Sequence, residues 1–209
     1  MINDIVWGQA DADPDQSDGS DDASTTASTS GGSGVSVVEN TIYFTSGVNE
    51  ENVSKFNTEL RKLDTELACK ALMYGIDDIP IKLHICSEGG GIIYGTSAMD
   101  NISSCRMPVH TIVDGVCASA ATFLSLVGDR RFIYRNSYML IHQLSTGFFG
   151  TYDQFGDKRK NLDQFMKFIK DLYISRTNLT SKDLDKLLKH DLMWDAEKCL
   201  EVGLVDEII

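Results

Sequence analysis

The sequence predicts an α/β fold with a largely parallel sheet, and two observations support that prediction. Short apolar stretches with the two-residue period of strands alternate with longer segments that have the period of helices. Two glycine-containing junctions, residues 87–91 and 115–119, each follow a strand and precede a helix. Strands that alternate with helices usually pair in parallel, and such sheets bind ligands where strands end and helices begin. We therefore expect the functional site at these junctions.

Composition divides the chain into two parts. The chain has 209 residues and a net charge of −12, and residues 1–34 contain seven aspartates but no lysine or arginine. This segment, rich in Asp, Ser, Thr and Gly, has too few apolar residues to offset its ordering entropy, which predicts a disordered acidic tail. Residues 35–209 keep a charge of −5 and predict one folded domain.

The composition also argues against several classes of function. An acidic chain without a basic patch is not expected to bind nucleic acid. No run of about 18 apolar residues occurs, so no membrane span is expected. Five scattered cysteines without a C-x-x-C pair predict reduced thiols in a cytoplasmic protein. The four histidines do not pair with cysteines at ligand spacing, so we expect no metal site.

The first half of the domain alternates strands and helices. Residues 41–45 predict a strand, and residues 49–73 predict an amphipathic helix with apolar residues at every third or fourth position. Residues 81–86 alternate apolar and polar side chains and predict a half-buried strand. Three glycines, residues 89–91, separate it from a helix over residues 92–105. Glycines permit a close backbone approach, so this junction suits an oxyanion hole, a peptide-binding edge or a plain turn.

A serine follows the second junction. Residues 109–113 predict a buried strand that turns at Asp114 and Gly115, and small residues then lead through Ser119 into a short apolar helix. At a helix N-terminus, unpaired backbone N–H groups and the positive end of the dipole stabilise an anion. Ser119 is therefore a candidate nucleophile, although a small residue here also suits close packing of the helix on the strand.

The next predicted strand covers residues 138–141, and His142 follows directly after it. His142 beside Ser119 would form a nucleophile and its general base, although a lone histidine also suits a structural position. Beyond it, a long helix is predicted over residues 153–177. Thr180 caps another helix, and a short helix over residues 196–202 precedes the last strand, residues 204–208.

Four short motifs occur in a characteristic order. They are S-E-G-G at residues 87–90, G-V-C-A-S at 115–119, M-L-I-H-Q at 139–143, and Asp191 followed by G-L-V-D at 203–206. With these motifs, residues 42–209 resemble the ClpP family, the proteolytic subunits of the ATP-dependent Clp protease (peptidase family S14). The chain looks like a divergent or phage-like member.

The resemblance implies a fold and an assembly. The fold is the ClpP/crotonase-like arrangement of repeated strand–strand–helix units, with a protruding handle helix at residues 143–177 and an adjoining strand at 146–151. The assembly is two stacked heptameric rings that enclose a chamber. The subunit itself would need no cofactor, and ATP would enter only through a partner unfoldase of the AAA+ class.

The resemblance also implies the site of a serine endopeptidase that cleaves unfolded proteins and peptides through an acyl-enzyme. Ser119 would be the nucleophile, His142 the general base and Asp191 its orienting carboxylate. The residues that contact the substrate would lie at the two junctions: the backbone N–H groups of Gly90 and Ala120 as the oxyanion hole, and Gly91, Ile92 and Ile93 along the bound peptide.

The chain departs from the family pattern at several points. Glu88 and Leu144 stand where the family has prolines, and the acidic tail replaces the axial-loop segment that helps to dock the unfoldase, which leaves that partnership open. Asp195 competes with Asp191 for the role of orienting carboxylate, although it also suits a helix cap.

Three other functions stay open: an inactive ring subunit, a Ser–Lys dyad protease, and a crotonase-type acyl-CoA enzyme.

Overall fold

The computed structural model describes residues 34–209, so the prediction for the acidic tail falls outside the described residues except at Gly34. The described part is a mixed α/β structure with eight strands and six helices. In chain order these are β1 (Val35–Val38), β2 (Thr41–Phe44), α1 (Glu50–Tyr74), β3 (Ile81–Ser87), α2 (Ile92–Ser103), β4 (Val109–Ala118), α3 (Ala121–Leu126), β5 (Arg130–Ile133), β6 (Tyr138–Leu140), α4 (Tyr152–Arg176), α5 (Ser181–Leu187), β7 (Met193–Trp194), α6 (Ala196–Glu201) and β8 (Glu207–Ile208).

The sheet is largely parallel, as the alternation of strands and helices predicts. Its main path runs β1-β2-β3-β4-β5-β8, and every pair along it except β1–β2 is parallel. A branch leaves this path at β4, where β6 pairs with β4 in parallel and β7 pairs with β6 in antiparallel fashion. The predicted α/β fold class is therefore confirmed.

Strand β4 changes its partner halfway along, and this corrects the predicted turn at Asp114 and Gly115. Residues 110–113 pair with β5, whereas residues 116–118 pair with β6. Gly115 lies between the two halves with φ of 95°, and its N–H donates to Ser137 Oγ at 2.7 Å. The glycine lets the strand bend and continue, because a positive φ is accessible to it. The chain therefore turns at Ser119 instead.

Helix α1 shows why the predicted helices form where they do. Asn49 caps it by accepting the N–H of Asn52 at 2.9 Å, and Gly75 ends it in the left-handed conformation. The apolar residues at helical spacing are buried, and Phe56 meets Phe44 of β2 edge to face with the ring centroids 5.7 Å apart. This face holds α1 against the sheet.

Helix α4 is buried only toward its end. Its buried residues are Ile169, Leu172 and Tyr173, and its first four turns contain none. The predicted strand at residues 146–151 is wrong for this chain, because residues 141–151 have no regular secondary structure and no strand of the described chain pairs with them. A strand exists only through backbone pairing.

Candidate active site

The two glycine-containing junctions meet in space. Gly89, just after β3, has φ of 98°, and a Cβ atom placed on it would lie 2.6 Å from both the Ala118 carbonyl oxygen and Ser119 Cβ. Only glycine fits there, because a side chain would collide with the backbone and would also disfavour the positive φ. The contact brings the end of β3 against the end of β4, where the sequence places the site.

Ser119 sits in a strained turn between β4 and α3. Its φ is 57°, it is buried, and its N–H donates to the Leu140 carbonyl of β6 at 2.9 Å. A non-glycine residue in this conformation costs on the order of 1–3 kcal/mol and persists only where surrounding contacts fix it. Here the carbonyl of Ser119 also accepts the Thr122 N–H at 3.0 Å, which anchors the turn to α3.

Two backbone N–H groups at the junctions have no acceptor in the described chain. Val48 bridges the first junction, because its N–H donates to Gly89 O and its carbonyl accepts from Gly91 N–H, both at 2.8 Å. This pairing bypasses Gly90, and within residues 34–209 neither Gly90 nor Ala120 donates its N–H to a protein acceptor. Both groups therefore lack an intramolecular acceptor among the described residues, although neither Gly90 nor Ala120 lines the cleft described below.

His142 follows β6 and pairs with Asp191. Its Nδ1 lies 3.1 Å from Asp191 Oδ1, and Gln143 N–H donates to Leu188 O at 3.0 Å, which ties the segment after α5 to the end of β6. A carboxylate beside Nδ1 places the ring proton there and leaves Nε2 as the basic nitrogen. Burial lowers the pKa of His142, and the Asp191 carboxylate partly opposes that shift. The imidazole is therefore neutral at pH 7.

Asp195, the competing carboxylate, has a different task. It is the N-cap of α6 and accepts the N–H of Lys198 at 2.9 Å. A capping aspartate satisfies one of the unpaired donors of the helix start. The structure therefore brings Asp191, and not Asp195, to the histidine.

A cleft of about 370 Å³ lies at the ends of β4 and β6. Ser119, His142 and Asp191 all contribute to its walls. The other lining residues include several that sequence reasoning did not assign to the site: Glu88, Gln143, Leu144, Ser145, Lys189 and Met193. Two of them, Glu88 and Leu144, were visible in the sequence as departures from the family pattern.

Comparison with known proteins decides the family. Residues 37–209 match the family model described as Clp protease. The chain belongs to the Clp protease family. A solved structure of a ClpP1 mutant from Listeria monocytogenes is similar in fold, with a TM-score of 0.67 and 23% identity over 79% of this chain and 88% of that chain. The chain is therefore a Clp-type peptidase.

One part of the predicted substrate site lies outside the cleft of this Clp-family chain and stays a prediction. Gly91 is the N-cap of α2, Ile92 and Ile93 are its first two residues, and none of the three lines the cleft. Ile92 is fully buried in the core, and the Gly91 N–H is already bound to Val48. Only the Ile93 side chain, which is 38% exposed, is accessible to a peptide.

Two further features bear on the chemistry of this Clp-type chain. Within the described residues, no group of three or more His, Cys, Asp or Glu side chains is placed to hold a metal ion. Among the helices of residues 34–209, none combines the length and the apolar character that a bilayer span requires.

Proposed function

We propose that this Clp-family chain is a serine endopeptidase with Ser119 as nucleophile, His142 as general base and Asp191 as orienting carboxylate. One observation carries the proposal: the 3.1 Å contact of His142 Nδ1 with Asp191 Oδ1, in the cleft that Ser119 also lines. The strained turn at Ser119 supports it, because strain of this kind is concentrated at functional sites.

Acylation would follow from the protonation states. The Ser119 hydroxyl is a weak nucleophile until its proton passes to His142 Nε2, and the low pKa of His142 keeps that nitrogen unprotonated at neutral pH. Attack on the peptide carbonyl then gives a tetrahedral intermediate. The Asp191 carboxylate stabilises the imidazolium that forms, without itself accepting the proton.

The oxyanion of that intermediate would bind the free N–H groups of Gly90 and Ala120. Each such donor is typically worth about 3 kcal/mol of transition-state stabilisation. His142 returns its proton to the leaving amine, and a water molecule activated by the same nitrogen hydrolyses the acyl-enzyme. The cycle needs no metal or nucleotide in this subunit, so any use of ATP would belong to a partner unfoldase.

Self-assembly would enclose this site. Two groups of large apolar side chains stay exposed on the single chain: the α1 patch (Leu72, Met73, Tyr74) at the end of α1, and the α4 patch (Phe149, Tyr152, Phe155) at the start of α4. Exposed apolar patches of this kind mark interaction surfaces. We assign both to contacts between copies of this chain, as in the two stacked heptameric rings that the family resemblance implies.

The remaining interpretations make different demands on the cleft. A Ser–Lys dyad would use Lys189, which lines the cleft, but this side chain is exposed. A lysine base is normally desolvated so that it is neutral. A crotonase-type acyl-CoA enzyme would use the oxyanion donors without the His142–Asp191 pair, and an inactive subunit would use neither.

The test compares three activities on the assembled protein: hydrolysis of fluorogenic peptides, hydrolysis of an acyl-CoA thioester, and binding of coenzyme A. We expect peptide hydrolysis that Ser119→Ala and His142→Ala abolish and that Lys189→Ala retains. Thioester hydrolysis that survives His142→Ala would instead identify a crotonase-type enzyme. Peptide hydrolysis that is lost in Lys189→Ala but retained in His142→Ala would identify the Ser–Lys dyad.

A further inference from the structure

Glu88 places a carboxylate in the cleft beside the proposed nucleophile. It lies between Ser87, the last residue of β3, and Gly89, which packs against Ser119. Both neighbours are buried, whereas the Glu88 side chain is exposed and lines the same cleft as Ser119 and His142. A substrate bound for attack by Ser119 therefore passes close to this carboxylate.

The backbone around Glu88 is firmly held. Gly89 N–H donates to Ser87 Oγ at 3.2 Å, and Gly89 O accepts the Val48 N–H at 2.8 Å. The contact of Gly89 with the turn at Ser119 fixes the same segment from the other side. A charge carried on a fixed backbone discriminates between substrates better than one on a mobile loop, because its position is already organised.

Glu88 has no partner of its own. Across residues 34–209, its carboxylate forms no salt bridge and no hydrogen bond, and Lys189 on the cleft wall lies beyond salt-bridge distance of it. Asp191 adds a second carboxylate to the cleft, but it is committed to His142. With His142 neutral, the lining carries two negative charges against one positive charge. The unpaired negative charge is at Glu88.

We propose that Glu88 is a specificity-determining residue that selects peptides with lysine or arginine within two residues of the scissile bond. This inference rests on the proposed peptidase function and names its substrate class. A basic side chain next to Glu88 forms a charge-assisted hydrogen bond, which is shorter and stronger than a neutral one. The net charge of −5 on residues 35–209 acts in the same direction, because an acidic surface concentrates cationic peptides.

The test uses the full-length assembled protein and peptides that differ at one position. Arginine is compared with citrulline, which has nearly the same shape without the charge, and with glutamate, at each of the four positions flanking the scissile bond. We expect kcat/KM to be about two- to fivefold higher for arginine than for citrulline at one or more positions, the range for a solvent-screened ion pair. The preference should shrink toward one at about 1 M salt.

Variants then assign the preference to Glu88. Glu88→Gln should bring the arginine-to-citrulline ratio to about one, and Glu88→Lys should favour glutamate instead. Glu51→Gln is the matched control, because it removes the same charge from an exposed position in the first turn of α1, outside the cleft. A ratio measured within one sample cancels differences in the amount of active enzyme.

The outcomes separate this inference from the function on which it rests. Peptide hydrolysis without an arginine preference, or a preference that Glu88→Gln leaves intact, overturns the role of Glu88 and leaves the peptidase function standing. Absence of peptide hydrolysis together with absence of fluorophosphonate labelling at Ser119 overturns the function, and the role of Glu88 with it.

Discussion

At the scale of single residues, the backbone of Ser119 is the most unusual feature of the site. With φ of 57°, it occupies the left-handed region that only glycine enters without cost. The N–H bond to Leu140 and the packing of Gly89 hold it there. The fold therefore maintains a strained conformation at the residue to which we assign the chemistry.

That strain is measurable as stability. We expect Ser119→Gly to be more stable to unfolding than Ser119→Ala by about 1 kcal/mol, because glycine adopts the positive φ freely. Both variants should lose peptide hydrolysis, since neither carries a hydroxyl. Urea denaturation at matched protein concentration measures the difference, and equal stability of the two variants would show that the turn is not strained.

The His142–Asp191 pair makes a prediction about pH. The Asp191 carboxylate raises the pKa of His142 against the lowering effect of burial, so its removal lowers that pKa further. In Asp191→Asn, the acid limb of the pH profile of kcat/KM should therefore move to lower pH. The value of kcat should fall about a hundredfold or more, because the imidazolium loses its carboxylate partner. A pH–rate profile of the variant and the wild type measures both effects.

Asp195→Asn provides the matched control for that profile. It makes the same chemical change four residues away and keeps a good helix cap, since asparagine caps as well as aspartate. Its pH profile should match that of the wild type. An unmoved acid limb in Asp191→Asn, or a moved one in Asp195→Asn, would contradict the assigned role of Asp191.

Much of the site could be predicted from residue types in order, and the remainder required the fold. Ser119, His142 and Asp191 stand in recognisable motifs, and the structure brings His142 and Asp191 into contact. The sequence favours Asp191 over Asp195 only through its spacing from Gly203, because a helix cap and a histidine partner are both short-range tasks of an aspartate. Glu88 and Lys189 share a cleft wall only because β3 and the segment after α5 converge in space.

At the scale of secondary-structure elements, Arg131 of β5 fastens the end of the chain. Its side chain pairs with Asp206 and donates to the carbonyl oxygens of Arg176 and Gly203 at 2.7 Å and 3.0 Å, respectively. The Arg131 N–H also donates to Asp206 Oδ2 at 2.8 Å. These contacts join β5, the end of α4 and the turn before β8, which explains the aspartate that ends the G-L-V-D motif.

The Arg131–Asp206 pair predicts a pH-dependent stability. Burial raises the pKa of Asp206, but the hydrogen bonds from Arg131 outweigh it and lower the pKa overall. Stability from a lowered carboxyl pKa is present above the unfolded value of about 3.9 and is lost as the pH falls through the folded pKa. We expect Asp206→Asn to cost about 1 kcal/mol at pH 7, after allowance for solvent screening, and progressively less below pH of about 4.

The neighbouring pair Arg130–Glu207 is the control for that experiment. Its two side chains lie 2.9 Å apart, but both are more than half exposed, so the pair contributes little to stability. Glu207→Gln should therefore change the free energy of unfolding by less than about 0.5 kcal/mol. Equal costs for Asp206→Asn and Glu207→Gln would show that the Arg131 contacts do not fasten the chain end.

The elements with clear periodicity could be predicted from sequence, and those that depend on partners could not. Helix α1 and strand β3 lie within one or two residues of their predicted bounds, because periodic apolar residues and caps define them locally. Strand β7 has only two residues and exists through its pairing with β6. The sequence predicts a turn at Gly115, but strand β4 continues through it. Its two halves pair with different strands, β5 and β6, and that pairing is not visible in the sequence.

At the scale of the whole molecule, the exposed apolar patches decide whether the chain acts alone. Phe149 is fully exposed in the loop of residues 141–151, which has no regular structure, and Tyr152 at the start of α4 is 92% exposed. Residues 143–145 of the same loop line the cleft. Burial of such side chains against another copy would supply hydrophobic stabilisation of about 25 cal/mol per Å². We infer that assembly orders this loop and so shapes the part of the cleft that residues 143–145 line.

Substitution in the α4 patch tests that inference. We expect the wild type to sediment as an assembly, and the double variant Phe149→Ser with Tyr152→Ser to sediment as smaller species with reduced peptide hydrolysis. Ile174→Ser is the control, because this residue of α4 is also exposed but lies outside the patch. An unchanged sedimentation profile in the double variant would exclude the α4 patch as a contact between copies.

The measurement that tests the central claim most directly is mass spectrometry with peptide mapping after treatment with a fluorophosphonate. It is made on the assembled fraction, beside Ser119→Ala. We expect one adduct per chain, on Ser119, which is lost in Ser119→Ala and strongly reduced in His142→Ala. No adduct on the assembled wild type, or an adduct that Ser119→Ala retains, would contradict the assignment of Ser119 as an activated nucleophile.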